Sequence, residues 1–252
     1  MAHAGRFLEL ERAGACLGLH LHPYKYDPAR FRAHFGGLSA DAQRKTRSET
    51  VAIWAAALGR RPTLFRPGTF SANDGTYQVL ADLGFTGGSV SCPGRVLPEL
   101  NAVWAGAVAD PHRAHATFRM LAGDLDFADL PLSVDFSDRG FRDGRGSPRD
   151  LRPDYRDADH ERIAANIVGQ IRGRAPAVPI MMLVTHNDND YSNPADRVGR
   201  NFRRVLDAIG AACRAAGMAP VGTTVERVCD AVRALPPSAG DWKVGHGALL
   251  TG

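Results

Sequence analysis

Lysine is nearly missing from this chain: of its 252 residues only Lys25, Lys45 and Lys243 carry an ammonium, so the formal charge of +4 rests on arginine. Those arginines are scattered among aspartates, and no basic stripe of the kind that tracks phosphates forms, which argues against nucleic acid as a partner. Cysteine is sparse. Cys16, Cys92, Cys213 and Cys229 lie far apart with no C-x-x-C spacing, which suggests neither a disulfide framework nor a thiolate zinc site. No run approaches the ~20 apolar residues of a membrane span, and MAHAGRFLELERAG lacks the apolar core of a secretory signal. The expectation is a soluble, cytoplasmic protein with no membrane partner. Internal repeats are also lacking, and a 44% hydrophobic content suits one domain over residues 1–252, with 235–252 as a tail.

What stands out is GLHLHPYKY, Gly18 to Tyr26. In a strand alternate side chains share a face, so His20 and His22 point one way while Leu19 and Leu21 pack behind them. Pro23 has no N–H to donate and ends the ladder, which sets the pair at a strand exit. Two imidazoles there form a metal seat; each alone would read as an ordinary polar residue bonded to backbone.

Around that strand, helix and strand alternate. A helix over 3–14 precedes the strand 15–22, and Ser39 caps a helix that runs to Leu58 before Gly59. A strand at 63–66 follows. Asn73 or Asp74 starts a helix that stops at Gly84, and a short strand lies near 88–90. Residues 94–123 show no clean period. Leu130 to Val134 reads as a buried strand, and 135–159 as a long polar loop that is either solvated or a lid. Glu161 to Arg172 is helical, VPIMMLVTH an apolar strand, and Val198, Phe202, Val205 and Ile209 form the inner stripe of a helix ending by Gly217. Ala219 to Gly222 is a brief strand, and Thr223 with Glu226 gives a capping box for a last helix. The pattern predicts an α/β fold with a mainly parallel sheet, open or closed as a barrel.

Three predicted strand exits carry residues of catalytic type: the His20/His22 pair, Arg66, and His186 in LVTHNDNDY. In a parallel barrel such exits converge.

Taken together, ERAGACLGLHLHP, LFRPGTFSANDGTYQVLADLGF, LVTH and, more faintly, LPLSVDFS resemble the polysaccharide deacetylase superfamily (carbohydrate esterase family 4) in order and spacing over most of residues 5–235. The resemblance implies a distorted (β/α) barrel in which His20 and His22 hold Zn²⁺ or a similar divalent ion. It also implies that Arg66 orients an acidic base and that His186 protonates a leaving amine. The substrate class so implied is an N-acetylated carbohydrate or a related small amide, hydrolysed by metal-activated water.

This chain departs from the family pattern twice. Gly18 stands where the first of two metal histidines would fall, and the aspartate pair expected on a strand before the first helix is missing. Asp135, at a predicted strand end, is the first substitute, with Asp27 and Asp188 behind it. Because a barrel without its first strand exposes two sheet edges, the expectation is a sequence that starts downstream of that strand. Two rivals stay open: a histidinol-phosphatase-like or amidohydrolase-like metallohydrolase using His112 and His115, and a barrel that binds a glycan without cleaving it.

Overall fold

The computed structural model describes residues 3–141, 144–187, 189–193 and 195–238. Its centre is a five-stranded sheet. The strands are β1 (Leu19–Leu21), β2 (Leu64–Pro67), β3 (Gly87–Gly88), β6 (His112–Arg113) and β7 (Ala128–Asp129), in the order β1-β2-β3-β7-β6. The first four neighbours run parallel and β6 is antiparallel to β7. Two small hairpins flank it, β4 (Val96–Leu97) with β5 (Ala102–Val103) and β8 (Val134–Asp135) with β9 (Arg149–Asp150). The architecture is mixed α/β with a parallel sheet.

Among the described residues there are seven α-helices, and the chain's own signals set their ends. After α1 (Ala4–Arg12) and the single turn α2 (Pro23–Tyr26), α3 (Ala40–Leu58) begins with the Ser39 hydroxyl accepting from the Ala42 N–H, and ends at Gly59 with φ of 72°. α4 (Thr76–Asp82) starts beside Asn73, whose side-chain oxygen accepts from the Gly75 N–H. α5 (His160–Arg174) and α6 (Arg197–Ala215) are capped by Asp159 and Asp196, and they pack together through Ile163, Ile167, Val205 and Ala208. α7 (Val225–Arg233) lies on the sheet, burying Val228, Cys229 and Val232 against Leu64, Ala128 and Leu130. Glycine at β3 permits this approach, since a Cβ on Gly87 would stand 2.4 Å from the Cys229 sulfur. No helix among the described residues is long and apolar enough to cross a membrane.

Four local expectations are corrected. Residues 178–186 pair with no strand: Pro179 offers no donor, and the Met182 N–H goes to the Ser133 hydroxyl at 2.9 Å, so a ladder does not propagate. Leu130 to Val134 is a strand only at its far end, in β8, because Pro131 interrupts the continuation from β7. Ala219 to Gly222 is exposed and unpaired, with Val221 84% exposed. The last helix is capped by Thr224 rather than Thr223, its hydroxyl accepting from the Arg227 N–H at 3.3 Å. The tail from 239 onward lies outside the described residues.

Candidate functional site

The parallel pairing of β1 with β2 sets His20 opposite Arg66. Leu19 and Leu21 are buried while His20 is exposed, as the alternation in GLHLH predicts. The His20 Nδ1–H donates to the Arg66 carbonyl at 3.0 Å, since a carbonyl can only accept. The neutral ring is thereby fixed with its lone pair on Nε2, the tautomer and anchorage that metal-binding imidazoles use.

His22 stands edge-on to His20, with ring centroids 4.9 Å apart. Its Nδ1 is buried and has no hydrogen-bond partner among the described residues. Gly68 makes room for the ring, because a Cβ there would fall 2.2 Å from that nitrogen. The turn that brings Gly68 in carries two consecutive non-glycine residues in the left-handed region, Thr69 at φ 58° and Phe70 at φ 57°. For a β-branched residue this is costly backbone, of the sort found where a site is held against local preference. Desolvation by the surrounding protein lowers the pKa of both imidazoles, at His20 even though the residue is exposed to solvent on one side. A bond to the Arg66 carbonyl partly opposes this at His20, while the neighbouring His20 and Lys25 reinforce it at His22, which falls to about 4. Both are neutral, ligand-competent bases at physiological pH.

The two imidazoles are the candidate donors for a metal ion, their ring centroids 4.9 Å apart. Among the described residues, no group of three or more His, Cys, Asp or Glu is arranged to hold a metal ion.

His20, His22, Arg66 and His186 all line one cavity of about 1190 Å³. His186 is exposed, with the Asp154 carboxylate 3.9 Å from its Nδ1. Arg66 is half-buried over the Phe70 ring at 5.4 Å, and burial together with the nearby Arg152 charge pulls its guanidinium pKa down. No described acid pairs with it.

Asp135 does not join this group. It is fully buried beneath α5, where it accepts from the Ser137 N–H at 2.9 Å, the Ser137 hydroxyl at 2.5 Å, Asn166 at 2.8 Å and Gln170 at 3.0 Å. Burial pushes its pKa up, but those hydrogen bonds outweigh it and hold the carboxyl below its usual range. With its oxygens committed and no place in the cavity lining, it is a structural anchor for the β8 end, and its expected role as the base is set aside. Asp27 caps the following turn, accepting from the Arg30 N–H at 3.0 Å, and Asp188 lies outside the described residues. His112 is buried in β6 and His115 is spent on a turn, its Nδ1 accepting from the Thr117 and Phe118 N–H groups. Neither lines the cavity.

With this geometry in place, the chain is comparable to a solved structure from Mycobacterium smegmatis, a protein provisionally described as a polysaccharide deacetylase. The TM-score is 0.50 at 16% identity, over 94% of this chain and 70% of that one. The likeness is one of fold. No family model and no curated protein matches the chain.

Sequence reading missed Lys25, Ser89, Arg95 and Arg152 as lining residues and Asp154 as the neighbour of His186. Arg95, Arg152 and Asp154 belong to stretches with no helical or strand period, so no pattern assigned them a face.

Proposed function

We propose that this chain is a metal-dependent hydrolase of the polysaccharide deacetylase type, acting on an N-acylated carbohydrate or a related amide, with its parallel sheet forming part of a distorted barrel. The observation that carries the reading is the pair of neutral imidazoles at the exit of β1, each with an uncommitted nitrogen, beside His186 in the same cavity. When bound, a divalent ion such as Zn²⁺ supplies Lewis-acid polarisation of the acyl group and of water. His20 and His22 would hold it, with the Arg66 carbonyl fixing the His20 ring. His186 would deliver a proton to the departing nitrogen, with the Asp154 carboxylate 3.9 Å from its Nδ1. Bond cleavage leaves a free amine and a carboxylic acid.

A second reading, a cavity that binds a glycan without cleaving it, is favoured by one observation: among the described residues that line the cavity there is no carboxylate to serve as a base. The metallophosphatase reading has lost its support, since His112 and His115 stand apart from the pair.

Acetate release from N-acetylglucosamine oligomers separates the two. The hydrolase reading expects release that a chelator abolishes and Zn²⁺ restores, and that His186→Ala lowers by about 10²–10⁴-fold. Sugar binding without acetate release, indifferent to chelator, would sink it.

A further inference from the structure

The cavity holds more positive charge than the described chain neutralises. Arg95 and Arg152 share one buried carboxylate, Asp150, which accepts from Arg95 Nη2 and Arg152 Nε at 2.7 Å each and from the Tyr155 hydroxyl at 2.6 Å. Arg66 and Lys25 add two further cations, and no described acid pairs with either. A cluster of this kind in a concave, half-buried setting raises the local concentration of anions.

The donors are also left unmatched individually. The Ser89 hydroxyl is buried, at 3% residue exposure, lines the cavity and has no partner among the described residues. So does Arg95 Nε, again at 3% exposure. Leaving buried polar groups unpaired is costly to folding, so their survival calls for an acceptor. Aromatic faces fix the forks. Arg66 and Arg95 both lie over the Phe70 ring, at 5.4 and 5.7 Å, and Arg95 also lies 4.1 Å from the centre of Phe141. A guanidinium stacked on a ring keeps its N–H groups at its edges, the arrangement that grips planar or tetrahedral oxyanions with paired hydrogen bonds.

We propose that the cavity binds the anionic group of a small ligand, a carboxylate or a phosphoryl group, on Arg66, Arg95 and Ser89. This goes beyond the hydrolase reading and does not require it, because an anion can be held there without any bond being cleaved. In a deacylase it makes the substrate an acidic sugar rather than a neutral one.

Isothermal titration of the full chain, stripped with a chelator and titrated with D-glucuronate, inorganic phosphate and uncharged D-glucose, tests it. The expected result is binding of glucuronate, phosphate or both at millimolar concentrations or below, weakening as salt rises, with no binding of glucose. Arg66→Gln should lower the affinity by about tenfold or more and Ser89→Ala by less, with circular dichroism unchanged for both. Glucuronate alone would assign a carboxylate, phosphate alone a phosphoryl group. Glucose binding as tightly as glucuronate, no anion binding at all, or an unchanged affinity in a folded Arg66→Gln variant would overturn the proposal. Metal content read on the same preparation before stripping keeps the hydrolase reading separate: anion binding without metal would end that reading and leave this one standing.

Discussion

Two polar clusters in this molecule invite comparison, the one around Asp135 and the one around His20 and His22. Around Asp135 the donors and acceptors are matched: Ser137, Asn166 and Gln170 all point their donors at one carboxylate, which stays ionised despite full burial. Around the histidines they are not. Among the described residues, His22 Nδ1 and the Ser89 hydroxyl are buried without partners, and Arg66 has no acid. A matched cluster has no valence left to offer a ligand, and its work is to pin β8 to α5. An unmatched one carries a standing cost in folding that a ligand can offset, and here the two neutral rings and the strained Thr69–Phe70 turn face the same cavity.

Removing the acceptor at the matched cluster should have the largest effect on stability. Asp135→Ala strands three side-chain donors in a buried setting and is expected to cost about 2–4 kcal/mol in urea unfolding, with anion and metal binding intact in the surviving folded fraction. A loss of binding with full stability would place Asp135 back in the site. At the unmatched cluster, Gly68→Ala drives a methyl onto the His22 ring and should weaken metal retention by about tenfold or more, in line with other changes that misplace a ligand's support. Unaltered metal affinity would mean that His22 is not a ligand.

The smallest effect is the most diagnostic of the rings' protonation. Both imidazoles have pKa values lowered in the folded state, His22 to about 4, so between the ordinary histidine value near 6.5 and that point the unfolded chain binds more protons. In chelator-stripped protein their contribution is fully present above pH 6.5 and is lost as pH falls toward 4. With solvent screening at these partly exposed rings the loss should be of order 1 kcal/mol, and it should vanish in His20→Ala/His22→Ala. An identical pH slope in the double variant would show that other groups carry it.

How much of this could be read beforehand follows from what each feature depends on. Helix ends were legible because Ser39 and Gly59 act locally, one through its side chain and one through its lack of one. The meeting of His20 with Arg66 was legible because strand exits in a parallel sheet converge, and the register sets them opposite each other. Asp135 misled because an aspartate at a strand end looks the same whether it faces a cavity or a set of amides from a helix 31 to 35 residues further on. The strand expected at 178–186 misled because an apolar run says nothing of whether its N–H groups find a ladder or a serine hydroxyl. Arg95 and Arg152 were hidden in irregular chain, where burial is decided by pairing with Asp150, 55 residues from Arg95 and two from Arg152, and not by period.

The claim on which the rest depends is that His20 and His22 are metal ligands. Metal content per chain, measured by plasma emission on protein purified without chelator, tests it most directly when wild type is run beside His20→Ala/His22→Ala. The account predicts about one divalent ion per wild-type chain and none in the double variant. Equal metal in both proteins, or none in wild type after reloading with Zn²⁺, would contradict it.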